Sequence, residues 1–421
     1  MSSVVRSISR VDDAPTPAHS QAREFTVAVL TGGGDRAYAL GVAECLIAEG
    51  LYFDFIGSDE LESEDLERSP QVRVLNLRGD MSSDASLAWK ACRVLVYYAR
   101  LIKYAATAEP SLFHILWNNK FQLIDRTLLL LYYRLLGKRL VLTVHNVNIG
   151  LRDGTDNWLN RWTLKVQYRL TDHLLVHTKL MRDQLVNDFG VPPQKISIIP
   201  FGINDATPRS AITREQARAR IGVVADAKVI LFFGNIAPYK GLEYLVDAFS
   251  DVAEALPDCV LVIAGRVKSD EDYWNVIQRK ISRLPVADRI VQRIEYIPEE
   301  EAELYFKAAD VLILPYTYIF QSGVLFLGYS FGLPVIASDV ASLREDIVEG
   351  STGVICKPKD SQDLGAKIVQ YFRSDLYRDL AARRDAIRAF AEEKYSWAKV
   401  GAIVRAVYER YGAIAVDARS A

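Results

Sequence analysis

The sequence predicts an α/β protein built from two Rossmann-like domains that face a central cleft. Three observations carry this. Strand-length apolar runs alternate with helical segments along most of the chain, the pattern of parallel sheets covered by helices. The alternation forms two consecutive series of similar length, from Phe25 to Asp205 and from Ala206 onward. Each series opens on a strand, a glycine-bearing turn and a helix, the start of a nucleotide-fold half. At 421 residues the chain is also longer than one compact domain usually is.

Residues 1–23 are rich in Ser, Ala, Pro and charge without periodicity and are expected to form a disordered tail. An N-terminal domain is expected over 24–205. Its first unit is the strand Phe25–Leu30, the turn Thr31-Gly32-Gly33-Gly34-Asp35-Arg36 and a helix ended by Gly50. Three glycines let the backbone pass close to something bulky, either a ligand's phosphate or the next element. Strands follow near Phe53–Gly57, Val72–Leu77 and Leu112–Trp117.

Two helical segments, 85–106 and 121–138, mix aromatics with cations. They read as helices lying on an anionic membrane, or as core-facing helices whose long cations reach back to water. The strand from Arg139 delivers His145 and two asparagines to its carboxyl end, the ligand-binding edge of an open α/β sheet. His145 is therefore a candidate to hydrogen-bond a hydroxyl or to relay a proton near neutrality. His173 and His177 flank the next strand without supporting carboxylates and are expected to be structural.

The second domain, expected over 206–385, begins with Val229–Gly234 and a loop carrying Asn235 and Lys240 just before a helix. There the ammonium either backs a helix dipole against an anion or is a solvated surface charge. Strands near Val260–Gly265, Ile290–Tyr296, Val311–Leu314, Val335–Ala337 and Val354–Cys356 complete the series. Between two of them, Gln321-Ser322-Gly323-Val324 opens a segment expected to be an amphipathic helix, with Ser322 as its cap. A helix N-terminus at the carboxyl edge of a parallel sheet suits a phosphate or diphosphate, although an ordinary βαβ loop has the same pattern. Residues 386–421 are expected to hold a final helix over 393–411.

The formal net charge of -2 gives no electrostatic reason to bind nucleic acid. Four widely spaced cysteines make neither a metal site nor a disulfide framework, so a reduced, cytoplasmic compartment is expected. No run is apolar and long enough to span a bilayer, and the N-terminal stretch lacks a signal peptide's apolar core.

The second half resembles the donor-binding domain of GT-B retaining glycosyltransferases of the GT4 type. The resemblance lies in Phe233–Gly241, Val262–Gly265, Pro298–Val311, Phe331–Ala337 and Ser351–Pro358; the first half looks like the variable acceptor domain, with its glycine loop, His145 and the Ile199–Asp205 hinge. It implies that Lys240 holds the donor diphosphate and that Gly32, Gly33 and Gly34 approach the same phosphates from across the cleft. It also implies that His145 contacts the transferred sugar. Gln321, Ser322, Gly323 and Val324 would supply phosphate-binding amides and a side chain to the sugar. The main chain at Ile297 and Pro298 would receive the nucleobase, and the final helix would pack back on the first domain.

Two features depart from the family's pattern. Its usual Arg, five residues before the lysine, is Asn235 here; of its two usual donor-gripping glutamates, eight apart, aligning on Phe331–Pro334 puts Leu327 at the second and drops the first in a gapped region near Ile319 to Gln321. A neutral side chain cannot make a charge-assisted clamp.

The expected activity is transfer of a sugar from a UDP- or GDP-sugar to a glycan or lipid-linked acceptor, with retention, in polysaccharide biosynthesis. Catalysis would fall to His145, Lys240 and Gln321, with no metal and no cofactor beyond the donor. The location would be cytoplasmic, with peripheral membrane contact through 85–106. A patatin-like hydrolase fails because Ile56 and Glu60 stand where a nucleophile elbow needs glycines. A non-catalytic nucleotide-sugar-binding protein, and a phosphorylase or sugar-phosphate synthase on the same fold, remain as alternatives.

Overall fold

A computed structural model of the chain describes residues 25–61, 63–79, 87–119, 121–203, 210–268, 271–319, 321–340 and 343–412. The expected tail at 1–23 and the expected domain boundary at 205/206 lie outside the described residues.

Both halves are parallel sheets. In the first, β1 (Val27–Leu30), β2 (Phe53–Gly57), β3 (Val72–Asn76), β4 (Leu112–Ile115), β5 (Arg139–Val144), β6 (His173–Val176) and β7 (Ile196–Ile198) lie in the order β3-β2-β1-β4-β5-β6-β7. In the second, β8 (Lys228–Phe233), β9 (Cys259–Ala264), β10 (Ile290–Arg293), β11 (Val311–Leu314), β12 (Val335–Ser338) and β13 (Gly353–Cys356) lie in the order β10-β9-β8-β11-β12-β13. Central strands such as Val311–Leu314 are apolar at every position because helices cover both faces of the sheet. Each sheet reverses its winding once, between β1 and β4 and between β8 and β11. Ligands of open α/β sheets bind at such points.

The helices that matter below are α1 (Arg36–Ala48), α2 (Leu87–Thr107), α3 (Leu130–Leu135), α4 (Trp158–Leu170), α5 (Leu242–Ala255), α6 (Gly323–Ser330), α7 (Leu380–Tyr395) and α8 (Trp397–Arg410). Three differ from expectation. The 121–138 helix is interrupted by a π turn at Asp125–Leu129. The segment α6 is not amphipathic: Leu325, Phe326, Gly328, Tyr329 and Ser330 are buried, because its residues are apolar nearly all round.

The final helix is also broken. α7 runs through residue 386 and ends at Tyr395, Ser396 accepts from the Lys399 amide to cap a new helix, and α8 crosses to the first half. There Val400, Val404, Val407 and Tyr408 join a core cluster with Tyr38, Val42 and Leu46 of α1. The Tyr408 hydroxyl lies 2.7 Å from Nδ1 of the buried His114 on β4.

Candidate functional site: the cleft between two sheet switch points

On the second sheet, the loop after β8 and the loop after β11 flank the reversal, and they carry the candidate donor-binding residues. Gly234 leaves β8 with φ +101°, and a Cβ there would lie 3.2 Å from Cγ2 of Val324. The two loops are therefore in contact. Lys240 is only 6% exposed. It is not a solvated surface cation: its Nζ donates to the Tyr316 hydroxyl at 2.7 Å and sits 4.0 Å from the centre of that ring. The same hydroxyl lies 3.3 Å from Oγ of Ser322. Ser322 occupies the cap position of α6 but makes no side-chain cap, because its hydroxyl is turned to the buried Tyr316.

Lys240, Ser322 and the first turn of α6 thus form one cluster. The opening amides of a helix have no intrahelical acceptor, which leaves those of Gly323 and Val324 to an incoming anion. Beside them, Oε1 of Gln321 is buried without a hydrogen-bond donor, ready for a hydroxyl.

At the neighbouring edge, Asn235 accepts from Nε of Arg266 at 3.3 Å, and that guanidinium lies 5.3 Å from the Tyr296 ring. The positive charge missing at position 235 therefore stands next to it, supplied by the residue that follows β9 and Gly265. Ile297 lines the interdomain cavity, while Pro298 starts a helix with its carbonyl accepting the amides of Glu301 and Ala302.

Across the cleft, Gly32 and Gly33 adopt φ +60° and +73°. What the three glycines accommodate is protein: Cβ atoms would fall 2.1 Å from the Trp117 carbonyl at Gly32, 1.5 Å from the Arg78 guanidinium at Gly33 and 2.0 Å from the Trp117 indole at Gly34. Gly33 and Gly34 are nonetheless exposed toward solvent.

His145 stacks on Trp117 with ring centres 4.3 Å apart and planes 6° apart, and shares a 3.2 Å hydrogen bond with His177. Burial, then the neighbouring His177 and His114, hold its pKa well below the ordinary histidine value. His145 is thus a neutral hydrogen-bonding group, and proton relay near neutrality does not fit it. Burial lowers His177 to about 4. His177, expected to be structural, belongs to this site. It stands at the carboxyl end of β6 as His145 does on β5, so the placement that singled out one histidine applied to both.

Sequence reasoning also missed the aromatic bridge between the halves. Phe326 of α6 stacks on Phe201 of the connection (5.2 Å), Phe201 lies against Tyr38 (5.3 Å) and His177 (5.2 Å), and Tyr38 meets His145 (4.8 Å). A cavity of about 210 Å³ lies along it, lined among others by Asp35, Tyr38, Ile297, Gly323, Leu327 and Trp397. Asp35, its carboxylate, caps α1 by accepting from the Tyr38 amide. A second cavity of about 170 Å³ opens beside His145, between Trp117, Asn118, Gln122, Arg126, Asn146 and Gln167. A further cavity, about 810 Å³, lies by Asp310, Arg384 and Arg388. Asp310 precedes β11, so this cavity sits at the amino ends of the strands, away from the switch points.

Comparison with known proteins bears on the family and the fold. Residues 32–207 match the family model Glycosyltransferase Family 4, and residues 227–374 match Glycosyl transferases group 1. The D-inositol 3-phosphate glycosyltransferase of Streptomyces scabiei is 29% identical over 246 residues, 57% of this chain and 54% of that protein. The mannosylfructose-phosphate synthase of Agrobacterium fabrum is 27% identical over 248 residues, 58% of this chain and 54% of that protein. The chain spans about half the length of these curated relatives.

Among solved structures, Anabaena HepE in complex with UDP and glucose has a TM-score of 0.71 at 16% identity, covering 92% of this chain and 100% of that one. Sucrose-phosphate synthase from Thermosynechococcus elongatus gives 0.72 at 18%, covering 93% and 100%. Both have the same two-domain fold. With a glycosyltransferase model matched in each half, the chain belongs to the group 1 glycosyltransferases and has the GT-B fold.

Proposed function

We propose that the protein transfers a sugar from a nucleotide diphosphate sugar, with retention of configuration, to a glycan or lipid-linked acceptor. The observation that carries this is the cluster of Lys240, Tyr316, Ser322 and the first turn of α6 at the β8/β11 switch point. Departure of a nucleoside diphosphate develops negative charge that must be met where it forms. Lys240 and the amides of Gly323 and Val324 meet it from below, and Arg266 adds the charge absent at Asn235. The buried oxygen of Gln321 accepts a sugar hydroxyl, and neutral His145 contacts the same sugar from the acceptor side. Ile297 receives the base. Ordinary contributions of such groups, about 0.3–2 kcal/mol for a helix terminus and about 1.5–3 kcal/mol for a hydrogen bond to a charge, suffice for a specific diphosphate site.

The surface of the first half supports a membrane-proximal acceptor. Fourteen of the eighteen exposed large hydrophobic residues described fall between Leu95 and Trp162. Eight of these fourteen lie on α2, α3 and α4, whose inner faces share one core through Tyr97, Leu101, Leu130, Tyr133, Leu164 and Tyr168. Arg100, Lys103, Arg134, Lys165 and Arg169 are exposed on the same helices, a mixture suited to an anionic lipid surface. Trp89 and Lys90, part of the expected basic face, lie outside the described side chains.

The test is thermal stabilisation by UDP, GDP and ADP, since a ligand of the folded state raises its melting temperature by mass action. One diphosphate is expected to stabilise the wild type and to lose that effect in Lys240→Ala. Failure of all three to bind removes the donor-site reading. A second reading, nucleotide-sugar binding without turnover, is favoured by Leu327 standing in the cleft where the family has a glutamate. Release of labelled sugar from a bound donor would exclude it.

A further inference from the structure

Arg126 is a cation that the fold buries with no carboxylate paired to it among the described residues. It lies in the π turn Asp125–Leu129, and such turns frequently mark functional positions in helices. Its side chain is 5% exposed, and Nη1 donates to Oδ1 of Asn160 at 2.9 Å and Oγ1 of Thr163 at 3.4 Å. Nε is buried and finds no acceptor. Among the described residues no carboxylate stands within ion-pair distance of it.

Of the two nearby acids, Asp125 attracts Arg126 without pairing with it, its bonded oxygen being held by other groups, and Asp156 is held elsewhere. Asp125 accepts from the Tyr98 hydroxyl (2.8 Å) and Nδ2 of Asn119 (3.2 Å). Asp156 accepts from Asn148, Asn160 and Arg161, reaching Arg126 only through the Asn160 amide. That relay fixes Asn160, and Asn160 fixes the guanidinium. A buried charge left this way is costly unless a ligand completes its surroundings.

Arg126 lines the 170 Å³ cavity that also touches His145, with Asn118, Gln122, Asn146 and Gln167 as polar walls. We infer that this cavity is an acceptor subsite in which Arg126 binds an anionic group, a phosphate above all. This rests on the transferase reading and narrows it: the acceptor carries a negative charge near the hydroxyl that receives the sugar. A planar guanidinium suits a phosphate or carboxylate through paired N–H donors. The phosphate belongs either to a water-soluble sugar phosphate or to a lipid, and the cavity's chemistry is the same for both.

The test titrates the full chain, with its donor site saturated by whichever nucleoside diphosphate binds, so that added phosphate cannot occupy that site. The probes are glucose 6-phosphate against glucose, and phosphatidylcholine vesicles with and without phosphatidic acid. Binding of the phosphorylated probe but not of its neutral counterpart is expected, weakened on the order of tenfold to a hundredfold in Arg126→Gln. Dependence in the glucose 6-phosphate arm assigns a soluble acceptor, and in the vesicle arm alone a lipid one. Arg126→Lys keeps charge and approximate volume, so it reads the site if the Gln variant does not fold; a severalfold weakening is expected. Equal affinity of wild type and either folded variant, or no preference for phosphorylated probes, overturns the inference. Loss of nucleoside diphosphate stabilisation in the wild type would instead strike the donor reading, and the phosphate arms would still report on Arg126.

Discussion

Gly41→Ala, in the middle of α1, should destabilise the protein although it replaces glycine with the best helix former. On an exposed helix this exchange gains about 1 kcal/mol. Here a Cβ at Gly41 would stand 2.1 Å from Cζ2 and 2.3 Å from Cε2 of Trp397, and a Cβ at Gly202 would stand 2.3 Å from the same Cε2. Carbon atoms pack at about 3.5–4.0 Å, so the rigid indole must move by more than 1 Å within a space that Gly202 also limits. Overpacking of this kind costs roughly 1–3 kcal/mol. Displacing Trp397 also disturbs its contact with Tyr38 and the start of α8.

We take about 3 kcal/mol against about 1, a net loss of about 2 kcal/mol, or roughly 4–8 °C for a folding unit of this size. Differential scanning calorimetry measures it, and Gly41→Ala/Trp397→Leu should recover most of the loss. Because Trp397 lines the interdomain cavity, Gly41→Ala should also reduce stabilisation by the nucleoside diphosphate. A melting temperature at or above the wild type's, or a double variant as unstable as the single, would refute the packing of α8 against α1 described above.

Arg266→Ala should weaken diphosphate binding about fivefold, as expected for an exposed charge, and adding Asn235→Arg should restore it; no rescue in calorimetric titration would show that the two positions do not share a role. Burial depresses His114 to about 3 and His173 and His177 to about 4, so between about pH 6.5 and 4 the unfolded chain binds more protons than the folded one. The stability these histidines contribute is full above pH 6.5 and lost on acidification, up to about 3 kcal/mol each by pH 4. Asp346, raised to about 6 by burial, offsets part of this, and a urea midpoint that does not fall from pH 7 to 4.5 would contradict the balance. Trp158→Ser/Trp162→Ser should lower co-sedimentation with anionic vesicles at least tenfold, given about 1.5–3 kcal/mol per large apolar side chain buried; a wild type that stays in the supernatant would remove the membrane-facing reading.

The sequence by itself determined the architecture. Strands such as Val229–Phe233 and Val311–Leu314 are apolar at every position because both sheet faces are covered, and that pattern survives without knowledge of neighbours. It also placed Lys240, Gln321 and His145 at strand carboxyl ends, since chain direction alone fixes which end of a parallel strand faces the cleft.

What only the tertiary structure decided are meetings between residues far apart in the chain. Arg266 stands beside Asn235, Tyr316 joins Lys240 to Ser322, His177 reaches His145, and Trp397 fits between Gly41 and Gly202. Local patterns report how each segment is buried, not what it is buried against. The glycine turn shows the difference most clearly: the sequence demanded close approach at Gly32, Gly33 and Gly34, and the fold supplied Trp117 and Arg78 as the groups that approach.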